Sequence, residues 1–343
     1  MPYDNNLVDA GEQIINLLAR GTQGTEVAVA VQSDYWGDTT MRRRQLFNGT
    51  IQEIEVTGED SSDVNALFEY LNWAYQHWDA QHWAVIVVGH GGKINEVSPD
   101  DHRSTHQART WMGVDQFSKA VSRFNKLTDN RVELLFLQNC NKATLEVIYE
   151  ARNCARYTLA SQLRLGAPNY YYGGFLNRLN DPSVAGQEAA IAIMESEHPS
   201  MFHALTLVDN QSTQLIPQKL SEVLAEIANI ELSQSKPSDL KAYHYAGETQ
   251  CDVLAFLNYF VQENRHVQKL VAAFADFLKS SVITHYQTGG NLLGSSGSSD
   301  PEQLCGLGLY LPHSPAAISR YQSMALAQEV DLGSLYRKIL AHS

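Results

Sequence analysis

The 343-residue chain is short of cysteine, and none of its four thiols stands in a Cys-x-x-Cys pair. Cys140, Cys154, Cys251 and Cys305 are too scattered to outline a disulfide framework or a structural zinc site, so they read as free thiols. Long apolar runs are missing too: none approaches the ~20 residues needed to span a bilayer. The opening stretch from Met1 to Asn6 lacks the basic and apolar regions of a signal peptide, so the sequence as written reads as cytoplasmic, with no membrane partner. Basic charge is scarce, with 25 Lys and Arg against 38 Asp and Glu and a net charge of -13. The longest like-charge block, Arg42 to Arg44, offers no stripe for a phosphate backbone, which argues against nucleic acid. No Gly-x-Ser-x-Gly nucleophile elbow occurs, since Gly294 to Ser298 has the wrong spacing, and Gly89 to Lys93 is too short for a phosphate-binding loop.

What is present is a hydrophobic content of 44%, enough for a substantial core. Over roughly residues 1–215, strand and helix patterns alternate. Leu7, Ala10, Ile14, Leu17 and Leu18 share a helix face, and Val27 to Val31 is a β-branched run ending at the polar Gln32-Ser33-Asp34. Ser62 is a plausible N-cap for a helix marked by Val64, Leu67, Phe68, Leu71, Ala74 and Tyr75. Further along come a strand from Trp83 to Val88, a polar loop from Pro99 to Thr110, and a helix near Val114 to Phe124. A strand from Val132 to Leu137 and a helix from about Thr144 follow. Such alternation predicts parallel strands joined by crossover helices. Residues 216–343 read as a helix-rich region packed on the first, with helical patterns at Leu220 to Ile230 and Leu254 to Phe274. A flexible Gly/Ser loop from Gly289 to Ser299 and a late strand near 306–311 complete it.

Two apolar runs end in chemically capable residues: the first in Gly89-His90-Gly91-Gly92, the second in Gln138-Asn139-Cys140. In open parallel sheets, ligands bind outside the carboxyl ends of the strands, and neighbouring strands would bring His90 and Cys140 together there. A thiol attacks as thiolate, which an imidazole or a following helix N-terminus favours. Gly91, without a side chain, lets its N–H approach a carbonyl oxygen beside the N–H of Cys140. Taken singly, a histidine in a glycine turn or a cysteine at a strand end is more often structural; taken jointly, they outline an acyl-transfer site. His102 and His106 lie four apart but lack a third ligand in a loop-like segment, so no metal site is expected.

The stretch from Leu134 to Glu150, with the segment from Cys154 to Gln162, resembles the clostripain-like cysteine peptidases, which share the caspase-type fold. Weaker matches follow in the right order: Asp4-Asn5-Asn6-Leu7, the His90-Gly91-Gly92 turn, Leu205 to Asp209, Cys251 to Phe256 and Gly306 to Pro312. The resemblance implies an α/β fold with a caspase-like, mostly parallel central sheet flanked by helices and a helical C-terminal elaboration. It also implies a cysteine endopeptidase acting on polypeptides, with Cys140 as nucleophile, His90 as general base, and Gly91 donating to the oxyanion. Gln138, Ser161 and Asn169 are the candidates for the S1 pocket. Family members usually carry Asp where this chain has Gln138, and the segment from Gln162 to Tyr172 holds no acid, its nearest charge being Arg164. The basic P1 preference is therefore expected to shift toward neutral residues. Only Met1 to Tyr3 precede the Asp4 motif, so the family's first strand is expected to be missing. The loop from Pro99 to Arg109 is a candidate for self-cleavage. No cofactor is expected; calcium and a regulatory protein partner are compatible with the sequence without being indicated by it. A catalytically silent relative using the same pocket for binding is the alternative.

Overall fold

In the computed structural model all residues are described except 57, 59, 103, 231–239, 241, 262–263, 291–302 and 342–343. The chain opens on a two-residue strand β1 (Pro2–Tyr3), parallel to β2 (Val29–Tyr35), with helix α1 (Val8–Thr22) between them. The first strand is thus short rather than missing. β2 runs on through the polar residues expected to end it, because it pairs antiparallel with β3 (Met41–Phe47), which pairs in turn with β4 (Thr50–Val56). The β3–β4 turn is Asn48-Gly49, with φ of 46° and 77°, the left-handed pair that a tight hairpin demands. Within this meander Arg44 is buried, donating to Glu12, Glu53, Ser33 and Tyr35, so the most basic block of the sequence is partly interior.

Helix α2 (Val64–His77) is capped by Asp63, whose side chain accepts from the Asn65 N–H, one residue past the expected Ser62. β5 (Trp83–Val88) follows, then a hairpin of β6 (Glu96–Asp100) and β7 (Thr110–Gly113) at the ends of the expected loop. Next come α3 (Val114–Leu127), β8 (Val132–Gln138), α4 (Leu145–Ala151) and β9 (Tyr157–Ser161). Helices α5 (Tyr172–Arg178) and α6 (Gly186–Ser196) lead to β10 (His203–Asp209), followed by α7 (Asn210–Thr213) and α8 (Ile216–Ile227). The final third contains the hairpin β11 (Ala242–Tyr245) and β12 (Glu248–Asp252), helices α9 (Val253–Val261) and α10 (Arg265–Phe277), then β13 (Ile283–Gly289) and β14 (Gly308–Tyr310). Helices α11 (Pro315–Tyr321), α12 (Ala325–Glu329) and α13 (Leu332–Leu340) close it.

The central sheet has the order β13-β10-β9-β8-β5. β5, β8 and β9 are parallel, and β10 runs against both its neighbours, so the sheet is mostly parallel and caspase-like in layout. β8 is buried almost throughout, which is why Leu134 to Leu137 reads as a continuous apolar run, with Glu133 at the one half-buried position. β13 is the departure: the C-terminal third does more than pack on the first, because it supplies an edge strand of the central sheet. The core ignores the expected boundary at 215 as well, since one buried cluster runs from Val85 and Leu135 through Val223 and Phe256 to Tyr336. The late strand is β14, in a small sheet of order β11-β12-β14 that touches the segment after Cys140 through a bridge from Thr144 to Gly308. The expected Gly/Ser loop lies, beyond Gly290, outside the described residues.

Candidate active site

The parallel ladder between β5 and β8 pairs Val88 with Gln138. His90 and Cys140 therefore each stand two residues past a matched pair, and both line one cleft of about 100 Å³. Tyr3, Leu7, Gln138, Leu165, Pro168 and Asn169 line it as well. Gly91 has no room for a side chain: a Cβ would meet the Cys140 carbonyl oxygen at 2.3 Å and the Cys140 nitrogen at 3.2 Å. The backbone of the histidine turn is thus pressed against that of the cysteine, and only glycine permits it.

His90 is held by Asn6, whose Oδ1 lies 2.8 Å from Nε2. An amide oxygen only accepts, so this contact places the proton on Nε2 and leaves Nδ1 as the acceptor. Burial lowers the His90 pKa, the nearby Arg109 lowers it further, and Asp101 works the other way. All else equal, the shift favours the neutral imidazole. In the sequence Asn6 stands out only as part of the Asp4-Asn5-Asn6-Leu7 motif; its contact with His90 spans 84 positions and no local pattern reveals it. Around the thiol, Leu165 donates its N–H to the Cys140 Sγ at 3.4 Å. The helix expected to assist Cys140 starts only at Leu145 and is capped by Thr144, so the nearest backbone donor to sulfur comes from the loop after β9 instead.

The cleft floor is an amide relay. Gln138 is buried; its Nε2 donates to Asn169 Oδ1 at 2.6 Å and to the Tyr172 hydroxyl at 3.0 Å, while its Oε1 accepts from the Tyr171 hydroxyl at 2.6 Å. Burial pushes both phenols well above their ordinary pKa, which keeps them neutral. Asn169 Nδ2 then donates to Glu197 Oε2 at 2.7 Å, and Glu197 Oε1 accepts from the Tyr170 and His198 N–H groups. A carboxylate thus stands behind the pocket although the segment from Gln162 to Tyr172 holds none. It comes from the end of α6, is absent from the cleft lining, and is occupied by amide donors. Ser161 does not join the pocket: it is fully buried in the sheet, where its hydroxyl donates to the Ala204 carbonyl. The family resemblance makes Ser161 a pocket candidate, but its side chain points to β10.

Below the cleft, burial lowers the Lys142 ammonium to about 7 against the pull of Glu248 and Glu96; it donates to the Lys93 carbonyl at 2.6 Å. Asp60, Asp100 and His102 offer ligand atoms within 4.8 Å of one another, the one such group among the described residues, and His106 is not in it. Its donors are already engaged: His102 contacts Asp100 at 3.1 Å and Thr110 at 2.7 Å, and both Asp100 oxygens accept from backbone N–H groups.

The profile of the clostripain family matches residues 1–332. Among solved structures, a secreted C11 cysteine protease from Bacteroides thetaiotaomicron bound to an irreversible peptide inhibitor superposes with a TM-score of 0.71 at 15% identity, covering 99% of this chain and 97% of that one. An inactive zymogen C11 protease from Parabacteroides distasonis superposes with a TM-score of 0.69 at 14% identity, covering 95% and 94%. No curated protein matches the sequence. At such identities the superpositions carry the fold alone, and the profile across nearly the whole length carries the kinship: this chain belongs to the clostripain family and is a cysteine peptidase acting on polypeptides.

Proposed function

We propose that the protein is an endopeptidase that cleaves after neutral residues with a His90/Cys140 dyad. The observation that carries this reading is the register of Val88 with Gln138, which leads both dyad residues into one cleft floored by an uncharged amide. His90 Nδ1 takes the thiol proton, and the sulfur attacks the scissile carbonyl carbon. The oxyanion is met by the N–H groups of Gly91 and Cys140. His90 returns the proton to the leaving amine, the C–N bond breaks, and a thioester remains. Water then attacks the thioester, giving its proton to His90, and the acid product and thiol are released. Side chains and backbone amides supply every step, so the reaction as proposed uses no cofactor.

The P1 assignment rests on the relay. Gln138 and Asn169 can hydrogen-bond a neutral side chain but cannot neutralise a guanidinium, and an unpaired buried charge costs several kcal/mol. Glu197 is engaged by three donors. Self-cleavage within the loop from Pro99 to Arg109, between the histidine and cysteine strands, is part of the proposal, and a neutral P1 preference places the cut after an uncharged residue of that loop. A fluorogenic peptide panel run on wild type and Cys140→Ala tests the whole reading. Cleavage after neutral P1 residues that disappears in the variant is expected; strict cleavage after Arg or Lys would overturn the pocket assignment. Mass spectrometry of the same two proteins, incubated under active conditions, reads self-cleavage.

A further inference from the structure

The N–H of Gly91, needed for the oxyanion, already has a partner: it donates to the Tyr245 hydroxyl at 3.4 Å. The phenol also abuts the Cys140 thiol. Tyr245 is the last residue of β11, in a part of the chain that the sequence placed away from the chemistry. Its turn is tight, with Ala246 and Gly247 at φ of 51° and 75° between paired Tyr245 and Glu248. The hairpin is also pinned to the segment after the histidine turn, where the buried Glu248 accepts from the Ile94 N–H at 2.7 Å. The tyrosine is therefore delivered by a fixed scaffold.

We propose that Tyr245 belongs to the reaction machinery as the occupant of the oxyanion position, which a substrate carbonyl must displace. An oxyanion has to lie about 2.7–3.1 Å from the same N–H, and two oxygens cannot share that place. The resident contact is weak: 3.4 Å is longer than an ordinary N–H···O bond, and the phenol stays protonated because burial and the facing thiol both oppose its ionisation. Tyr245 is half-buried, so its side chain has solvent to turn toward when displaced. A neutral hydroxyl competes with a neutral carbonyl on equal terms, whereas charge-assisted bonds to an oxyanion are about twice as strong. The occupant therefore weakens substrate binding and leaves the later steps alone.

The inference rests on the dyad reading, and the experiment separates the two. In Tyr245→Phe, loss of one hydrogen bond is expected to raise kcat/KM about two- to tenfold, with the gain in KM. Iodoacetamide should alkylate Cys140 faster by a similar factor, a readout that needs no peptide turnover. Tyr245→Leu, checked for an unchanged unfolding midpoint, should behave alike. A fall in kcat of tenfold or more would overturn the proposal by making the phenol an oxyanion donor; unchanged KM and alkylation would also overturn it. Faster alkylation in variants of a chain whose wild type cleaves no peptide would leave the occupant standing and sink the peptidase mechanism.

Discussion

Replacing Gln138 by Glu keeps the shape of the side chain and reverses one hydrogen bond. The amide now donates to Asn169 Oδ1 at 2.6 Å, and a carboxylate would oppose that oxygen with another acceptor. Asn169 cannot resolve the conflict by flipping, because its Nδ2 is already committed to Glu197 and a flip would only move the clash there. An unsatisfied buried polar contact costs about 1–3 kcal/mol, equivalent to a rise of about 1–2 units in the new carboxyl's pKa above its ordinary ~4.3. A carboxyl raised in the native state binds more protons there than in the unfolded chain. The variant's deficit is therefore small near pH 4, where the protonated group can donate as the amide does, and develops fully above about pH 7. At ~2.1 cal/mol/K of unfolding entropy per residue over 343 residues, each kcal/mol moves the melting midpoint by about 1.4 °C. Gln138→Glu should thus melt about 1.5–4 °C below wild type at pH 8 and within about 0.5 °C at pH 4. Differential scanning fluorimetry at both pH values reads this directly. A gap of equal size at the two would refute the relay. In the same variant, cleavage after Arg should appear as the carboxyl ionises.

The acid limb of kcat/KM should fall below the ordinary imidazole value of ~6.5, and Arg109→Gln should move it upward by removing a positive charge that opposes protonation of His90; a pH-rate profile of both proteins decides. Gly91→Ala, which forces a methyl group to within 2.3 Å of the Cys140 carbonyl, should lower kcat by about 10²-fold or more, as loss of an oxyanion donor does, in steady-state assays. Asn6→Ala removes the orienting bond to His90 and should cost about two- to tenfold in kcat with KM little changed. Lys142 is lowered from 10.5 to about 7, so the unfolded chain binds more protons between those values and stability gains from this group as pH rises through them. Lys142→Met should flatten that rise when melting midpoints are compared at pH 7 and pH 9.

The two strands that lead into the candidate site are legible as apolar runs with little alternation: β8 has a parallel neighbour on each side, and β5, although it ends the sheet, buries Val85, Val87 and Val88. The amphipathic helices were read for a similar reason, each burying one stripe. The β3–β4 hairpin carries the Asn48-Gly49 turn signal, but three consecutive arginines mask the alternation of β3. β13 reads Ile-Thr-His-Tyr-Gln-Thr-Gly and is half-exposed along its length, as an edge strand can be, so no apolar run marks it. Among the residues around the candidate cleft, His90, Gly91 and Cys140 are suggested by their places just past strand ends, and Gln138 and Asn169 by the family resemblance. Asn6, Glu197 and Tyr245 are not, because each arrives from another element by tertiary packing. Ser161 departs from its expected place because resemblance in sequence does not fix which way a side chain points, and here it points to Ala204 of β10.

The pairing of β10 with β13 has a consequence for how the molecule is made. On the ribosome, residues 203–209 emerge long before residues 283–289, which cover their open edge. During that interval β10 can pair with β9 while its other edge presents Leu205, Leu207 and Val208 alongside unpaired backbone groups. Such an edge is a template for pairing with another nascent chain. Fragments ending between β10 and β13 should therefore aggregate during synthesis, and chains that reach residue 289 should not.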